Sequence, residues 1–211
     1  FMGKILRVDL SEGKTWDEDL SADKCRKYLG GAGLATAYLY DEVPKGADPL
    51  GIENKLIFMT GPLTGTVSPS AARYSVVTKS PLTGIWGQAN SGGSFGPALK
   101  KAGYDGMIFE GESASPVYLT IIDGAVELKD ASNLWGKLVP DTEETLKEEF
   151  GKKVTIASIG PAGENLVKIA GIMNNLHRTA GRCGAGAVMG SKKLKAIVVS
   201  GNETIPLHDK E

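Results

Sequence analysis

The chain has 211 residues, with 24 basic and 25 acidic side chains and a net charge of −1, a size that suits one large domain or two small ones. Hydrophobic residues make up 41% and charged residues 23% of the chain, as in an ordinary globular protein. The charge balance disfavours broad attraction to nucleic acid or membranes. No segment approaches the ~18 consecutive apolar residues of a membrane span. We therefore expect no nucleic-acid partner and no membrane partner.

Cysteine and glycine contents narrow the kind of site. The only cysteines are Cys25 and Cys183, too few to build a disulfide framework or to supply four thiolates to an iron–sulfur cluster. The default compartment is therefore the cytoplasm. Glycine accounts for 28 of 211 residues, where about 7% is usual. Since these glycines follow no period, the excess must serve backbone geometry at particular places.

In chain order, the apolar patterns predict more strands than helices. Strands are expected at residues 4–9, 56–59, 73–78, 106–110, 117–122, 125–129, 154–158, 167–172 and 196–200. Helices are expected from the cap Ser21 to Leu29, after a glycine break at 30–33 to Glu42, at 93–101, from the cap Asp141 to Phe150, and at 185–194. Because strands and helices do not alternate regularly, the pattern favours an α+β fold over a Rossmann fold.

Two glycine-rich segments resemble each other at a constant offset of 90 residues. Residues 92–111 and 182–201 each contain a glycine-rich turn, a short helix with adjacent lysines and an apolar strand that ends in glycine. We predict an internally duplicated mixed-sheet domain over 1–211, with repeats at 56–111 and 154–201. Such a fold would present two similar loops about an approximate two-fold axis, to a ligand with two similar halves. Two unrelated turns would give the same pattern, so that alternative stays open.

Both loops have the composition of an anion site. The first spans 89–96 and the second spans 177–186, and each precedes a predicted helix. Small residues let backbone N–H groups approach an anion, and the planar guanidinium groups of Arg73, Arg178 and Arg182 suit phosphate or carboxylate. On composition alone, a structural turn is the better explanation of either loop by itself. Together with three arginines, they favour phosphate binding.

Other chemistry is poorly supported. The phosphate-loop signature is absent, and the glycine runs at 31–33 and 184–186 are weak matches to the dinucleotide fingerprint. His177 and His208 form no ligand cluster with other side chains in the sequence. No pair of carboxylates is spaced for acid–base work. The sequence thus indicates an anion cradle without a catalytic set.

Five motifs carry a resemblance to a known family. They occur in order at Gly61–Thr66, Arg73–Gly84, Ala89–Gly93, Ala157–Leu166 and Gly184–Ile197. From Gly3 to its last residue, the chain resembles the N-terminal, metallopterin-binding domain of the tungsten-containing aldehyde ferredoxin oxidoreductases. The resemblance implies that the rest of the enzyme is missing from this chain.

This resemblance also implies a cofactor and partners. Two pterins would chelate one tungsten, or molybdenum in some members, and magnesium would bridge their phosphates. The parent enzyme would oxidise an aldehyde to a carboxylic acid and pass electrons through a 4Fe-4S cluster, ligated outside this chain, to ferredoxin. Many members are dimers, so a homodimer is a further expectation. The isolated domain, without catalytic residues of its own, would be inactive.

Site residues follow from the matching motifs. The resemblance implies that six residues contact the pterin phosphates: Arg73, Asn90, Gly92, Arg178, Thr179 and Gly181. The backbone carbonyls of Asn90 and Thr179 would face magnesium, an oxygen-seeking cation. The chain departs from the family where Thr179 often is alanine, which a main-chain contact tolerates. It also departs at Cys183, often glycine, which raises the question of the local backbone angle.

Two other functions fit the same residues. Relatives of this kind include subunits that reduce aromatic thioesters or carboxylates, and the pocket that discriminates them would lie outside this chain. A stand-alone module that binds phosphorylated ligands without redox chemistry is the third reading.

Overall fold

A computed structural model describes residues 1–207, so His208 and the polar residues 209–211 lie outside the described part. The strands are β1 Lys4–Asp9, β2 Lys14–Asp19, β3 Leu56–Thr60, β4 Tyr74–Lys79, β5 Trp86–Ser91, β6 Gly106–Glu110, β7 Val117–Ile122, β8 Ala125–Asp130, β9 Thr155–Ser158, β10 Ile172–Asn174, β11 Arg178–Ala180 and β12 Leu194–Ser200. The helices are α1 Ala22–Tyr28, α2 Gly31–Glu42, α3 Phe95–Lys101, α4 Val139–Phe150, α5 Pro161–Glu164 and α6 Ala185–Ser191. None of the helices within 1–207 has the length and apolar character needed to cross a membrane.

The strands form two six-stranded mixed sheets with one shared topology. Sheet A has the order β2-β1-β6-β3-β4-β5, and sheet B has the order β11-β10-β9-β12-β7-β8. In sheet A, β1 pairs with β2 as an antiparallel hairpin and with β6 in parallel. In sheet B, β7 pairs with β8 as an antiparallel hairpin and with β12 in parallel. The remaining pairs are antiparallel in both sheets. The predicted α+β fold with mixed sheets is therefore confirmed, and the shared order supports an internal duplication.

The offset of 90 residues reappears in the helices that precede the last strand of each half. Helix α3 spans Phe95–Lys101 and α6 spans Ala185–Ser191. The repeat boundaries 56–111 and 154–201 stay a prediction. The shared topology also includes the hairpins β1–β2 and β7–β8, which precede those ranges. Strand β1 was predicted, but its partner β2 was not, because Lys14–Asp19 is dominated by polar residues and lies at the sheet edge.

One core joins the two sheets. Phe58, Tyr74 and Phe109 of sheet A share a buried cluster with Ile121 and Ile197 of sheet B. Helices α3 and α6 lie in this shared layer, where α3 contacts β12 of sheet B and α6 contacts β4 of sheet A. The outer face of sheet A is covered by α1 and α2, and that of sheet B by α4. Because successive side chains point to opposite faces of a strand, the same strands contribute to the shared core and to the outer clusters.

Local capping signals were partly correct. Ser21 accepts a hydrogen bond from the backbone N–H of Lys24 at 3.2 Å, which confirms it as the N-cap of α1. Asp141 was predicted to cap α4, and this is wrong, because α4 begins at Val139 with Leu138 in the cap position. Pro140 suits the first turn of a helix, where no intrahelical N–H bond is needed, and this lets the helix begin earlier.

The strand predicted at 167–172 is also wrong. Residues 167–171 belong to an irregular connection after α5, and only Ile172 enters a strand. Val167 and Ile169 are 43% and 66% exposed, so their apolar character does not report a buried strand. Strands β5 and β11 and helix α5 were not predicted. Their sequences are short or rich in small and polar residues, which give little periodic signal.

Three lysines are at most 1% exposed, namely Lys100, Lys192 and Lys195. Lys100 pairs with Asp105 at 2.9 Å, and Lys195 pairs with Glu164 at 2.5 Å. Lys192 has no carboxylate partner among residues 1–207 and donates to the backbone carbonyl of Gly111 at 2.9 Å. Burial, with added repulsion from Lys55, lowers the pKa of Lys192 to about 8. The charged form of this buried amine therefore costs folding free energy at neutral pH.

Replacing Lys192 with methionine should stabilise the protein at pH 7 by about 2 kcal/mol, since the desolvation cost exceeds the lost hydrogen bond. The folded pKa lies below the unfolded one, so the wild type gains stability as pH rises from about 8 toward 10.5. The excess stability of Lys192→Met, measured by denaturant unfolding, should shrink across that window. Lys193→Met, at a partly exposed neighbour, is the control. If the stability of Lys192→Met exceeded that of the wild type equally at pH 7 and pH 10.5, the lowered pKa of Lys192 would be contradicted.

Candidate functional site

The two sheets bring equivalent edge strands to one surface. Strand β5 is the edge of sheet A and β11 is the edge of sheet B, and the two strands lie next to each other. Asn90 of β5 pairs with Ser75 of β4, and Thr179 of β11 pairs with Met173 of β10. Strands β4 and β5 occupy the same positions in sheet A as β10 and β11 in sheet B. The two residues predicted to face a metal therefore occupy equivalent positions. Gly92 and Gly181 follow, each one residue beyond its strand.

The predicted arginines lie beside these strand ends. Arg73 immediately precedes Tyr74, which pairs with Ser91, so Arg73 and Gly92 lie at the same end of the β4–β5 hairpin. The Cγ atom of Arg178 lies 3.3 Å from the position that a Cβ atom on Gly93 would take. Both arginines are exposed. The structure thus brings Arg73 and Arg178 to the first glycine loop.

In the described part of the chain, their guanidinium groups take part in no ion pair. Within residues 1–207, neither Arg73 nor Arg178 forms an ion pair with a carboxylate, and the same holds for the exposed Arg182. By contrast, Arg7 is bound by both Glu18 and Glu42. Cations without carboxylate partners on an open surface remain available to an anion.

The second loop has an unusual backbone. Arg182, Cys183 and Gly184 have φ angles of +67°, +54° and +73°. Cys183 therefore occupies the left-handed region that favours glycine, which answers the question raised by its departure from the family. Two contacts with the first half hold it there. Ser80 Oγ donates to the carbonyl of Cys183 at 2.8 Å, and Cys183 Sγ donates to the carbonyl of Gln88 at 3.4 Å.

The turn between β10 and β11 contributes residues that the sequence did not reveal. Asn174 is fully buried, and its amide donates to the carbonyl of Gly92 at 3.0 Å. Asn175 Oδ1 accepts from the backbone N–H of Ser94 at 2.9 Å. Both contacts join residues more than 80 positions apart. A side-chain amide gives no signal of such a role in one sequence, because its partners are distant along the chain.

Other predicted candidates play smaller parts. His177 is exposed and lies in the same turn, and in residues 1–207 no group of three His, Cys, Asp or Glu side chains is arranged to hold a metal. The side-chain oxygen of Asn90 is used by Ser75 Oγ at 2.8 Å. A cation at this surface would therefore rely on backbone carbonyl and ligand oxygens, in agreement with the donor set that magnesium prefers.

These features suit a doubly anionic cofactor. Two equivalent strand ends are each followed by a glycine, and their surface is open. Three guanidinium groups there have no carboxylate partner among residues 1–207. Fold and surface define an α+β domain with paired loops suited to a ligand that has two anionic halves. The residues present fit a bis-pterin with two phosphates, because charge and backbone access occur at both halves.

Comparison with known proteins identifies the family. Residues 5–201 match the model of the aldehyde ferredoxin oxidoreductase N-terminal domain. The chain is 57% identical over 210 residues to a tungsten-containing aldehyde ferredoxin oxidoreductase of Thermococcus kodakarensis, covering 99% of this chain and 35% of that protein. The corresponding protein of Pyrococcus furiosus is 55% identical with the same coverage. The chain therefore belongs to the aldehyde ferredoxin oxidoreductase family, and it spans about a third of these relatives.

Two further comparisons show how widely this domain is used. The WOR-like subunit of an aliphatic sulfonate oxidoreductase from Pyrococcus furiosus is 41% identical over 229 residues. The solved active site complex BamBC of benzoyl coenzyme A reductase, with 1,5-dienoyl-CoA, superposes with a TM-score of 0.94 at 42% identity. That match covers 96% of this chain and 31% of the other chain. The fold is thus shared by relatives with different named substrates.

Gly93→Ala should disrupt the first loop. Gly93 has a φ of +89°, and an added Cβ would lie 2.3 Å from Asn175 Oδ1. Gly124 is the matched control, because its φ is +83° with nothing within 4 Å of an added Cβ. We expect Gly124→Ala to cost about 1 kcal/mol of unfolding free energy from the backbone alone. Gly93→Ala should cost about 1–3 kcal/mol more. Equal costs in denaturant unfolding would show that the contact with Asn175 contributes nothing.

Proposed function

We propose that this chain is the cofactor-binding domain of a tungsten-containing oxidoreductase that converts aldehydes to carboxylic acids. The proposal rests on two equivalent strand ends, Asn90 to Gly92 and Thr179 to Gly181, that lie side by side. The arginines beside them have no carboxylate partner within residues 1–207. A bis-pterin has two similar phosphate-bearing halves, so it matches a surface with two similar ends. The identities of 55–57% to tungsten-containing relatives support this choice of metal and reaction.

The arginines would bind the pterin phosphates. Arg73 and Arg178 flank the first glycine loop, and each guanidinium can give two parallel hydrogen bonds to a phosphate. Gly92 and Gly181 are partly exposed. Because they lack side chains, the ligand can approach their backbones closely. Arg182 adds positive charge on the second loop. These residues bind and orient the cofactor without moving a proton.

Asn90 and Thr179 would provide the magnesium contacts through their backbone carbonyls. Their equivalent places on adjacent edge strands suit one cation shared by the two halves. Magnesium is bound by oxygen atoms and commonly retains waters and ligand phosphates. Since the contact is made by the main chain, the side chain of Thr179 is free to vary.

The rest of the reaction would use groups outside this chain. When bound, the cofactor supplies the two-electron chemistry that turns an aldehyde into a carboxylic acid, with water as the oxygen source. The 4Fe-4S cluster would be ligated elsewhere, since this chain has two cysteines, and ferredoxin would accept the electrons. We propose a cytoplasmic enzyme, and a homodimer as its assembly. The isolated chain would bind and orient but would not catalyse.

A second reaction is favoured by one observation. The structure of benzoyl coenzyme A reductase superposes over 96% of this chain. The same cofactor-binding domain can therefore serve the reduction of an aromatic thioester. The higher identity to the aldehyde ferredoxin oxidoreductases, 57% against 42%, supports our choice of aldehyde oxidation as the first proposal. A stand-alone module for phosphorylated ligands would use the same arginines but would contain no tungsten or molybdenum, so metal content discriminates it.

Arg73→Ala and Arg178→Ala should each weaken cofactor binding. A charge-assisted hydrogen bond contributes about 1.5–3 kcal/mol, so we expect about tenfold or greater loss of affinity and a lower tungsten content in the purified full-length gene product. Elemental analysis after gel filtration measures that content. The unfolding temperature of this domain should change little, because both side chains are exposed.

Arg26→Ala is the matched control, because Arg26 is also exposed but lies in the last turn of α1. It should retain the tungsten content of the wild type. Wild-type tungsten in both Arg73→Ala and Arg178→Ala would remove these residues from the phosphate site.

A further inference from the structure

The hairpin β10–β11 departs from its counterpart in a specific way. The pair Met173–Thr179 corresponds to Ser75–Asn90 in sheet A, so Asn174 corresponds to Val76. In sheet A the β4–β5 hairpin continues through Val76 to Lys79 and Trp86. In sheet B the hairpin closes directly after Asn174. The shorter hairpin thus places a buried amide where the other half has an apolar side chain.

All the side-chain hydrogen bonds of Asn174 cross from sheet B to sheet A. Its Nδ2 donates to the carbonyl of Gly92 at 3.0 Å and to the hydroxyl of Tyr74 at 3.1 Å. Ser91 Oγ donates to its Oδ1 at 3.4 Å. Tyr74 is itself buried between Phe58 and Phe95, and burial raises the pKa of its phenol above the ordinary value. The amide therefore meets a neutral, fixed partner.

Asn175 extends the link to the next part of the loop. Its Oδ1 accepts from the N–H of Ser94 at 2.9 Å, and its Nδ2 donates to Ser94 Oγ at 2.8 Å. On the opposite side of the turn, the N–H of Leu176 donates to the buried Glu143 of α4 at 3.1 Å. The turn is thus held by the first glycine loop and by α4, directly before Arg178 and Thr179.

We propose that Asn174 and Asn175 are positioning residues that hold the loop 92–94 of sheet A in register with Arg178 and Thr179 of sheet B. This inference rests on the proposed function, because the register matters only if one ligand contacts both halves. Neither amide needs to touch the ligand. Their role is to fix the spacing between two sets of anion contacts that belong to different sheets.

The physical consequence concerns how the ligand dissociates. When two sites are held at the correct spacing, the second contact of a two-headed ligand is intramolecular and has a high effective concentration. A loop that moves relative to Arg178 loses this advantage while each separate contact remains intact. Loss of register should therefore speed up the release of the cofactor by an amount that the loss of fold stability does not explain.

Asn174→Leu and Asn54→Leu provide a matched test in the full-length gene product purified from cells grown with tungstate. Asn54 is also fully buried, and its amide donates to Thr78 Oγ1 and the Lys79 carbonyl at 3.0 Å each. These partners lie at the opposite end of the β4–β5 hairpin from Gly92. Both variants should lower the unfolding temperature, and only Asn174→Leu should alter cofactor release.

Asn175→Gly is the second test variant. Asn175 has a φ of +46°, which glycine adopts without strain. The turn itself is therefore kept while the side-chain contacts to Ser94 are lost. The measured quantity is the rate at which tungsten leaves the protein, followed by elemental analysis of gel-filtered samples over time. We expect release about tenfold faster than the wild type in Asn174→Leu and Asn175→Gly, equivalent to about 1.4 kcal/mol. Asn54→Leu should release tungsten at the wild-type rate.

Wild-type release in Asn175→Gly overturns the proposal, as does equal acceleration in Asn54→Leu and Asn174→Leu, since fold stability alone would then explain it. If Asn174→Leu does not fold, Asn175→Gly decides the outcome. Wild-type release in Asn175→Gly, with tungsten lost from Arg178→Ala, would overturn the positioning role and leave the proposed function standing. A wild-type protein without tungsten or molybdenum would overturn both.

Discussion

The shared core between the two sheets is the constraint on which the rest of the structure depends. Phe58, Tyr74 and Phe95 from the first half pack in the same cluster as Val188 and Ile197 from the second. Helix α3 contacts sheet B while α6 contacts sheet A, so each half covers the other. Burial of this apolar surface is the main source of stability. It also places the edge strands β5 and β11 side by side, which neither half can do alone.

This arrangement explains why so few polar contacts are needed at the candidate site. The core sets the distance between the halves, and polar bonds such as the following refine it at the candidate site. Ser80 bonds to the Cys183 carbonyl, Asn174 to the Gly92 carbonyl, and Asn175 to Ser94. A backbone loop on a rigid scaffold is an efficient way to present N–H and carbonyl groups to a ligand. The free arginines then provide the charge.

Much of this fold could be predicted where a local rule decides the structure. Ser21 caps α1 because its hydroxyl satisfies a free N–H group, and the offset of 90 residues located α3 and α6 correctly. Prediction failed where tertiary context decides. Val167 and Ile169 look like part of a strand but lie exposed in a connection, and Asp141 was displaced as a cap by a helix that begins with Val139 and Pro140.

The candidate site divides in the same way. Arg73, Asn90, Gly92, Arg178, Thr179 and Gly181 were selected from motifs, and the structure brings them to one surface. Asn174 and Asn175 could not be selected, because their importance comes from bonds to residues in the other half of the chain. The backbone angle at Cys183 was raised as a question by the departure from glycine, but only the structure shows that cysteine keeps the left-handed angle.

We have proposed that two equivalent halves hold one metal through two pterins. Measuring metal and pterin together in the full-length gene product, from cells supplied with both tungstate and molybdate, tests this binding mode. We expect close to one tungsten or molybdenum per polypeptide and two pterins released on acid denaturation for each metal. A folded protein that contains neither metal, or one pterin for each metal, would contradict it.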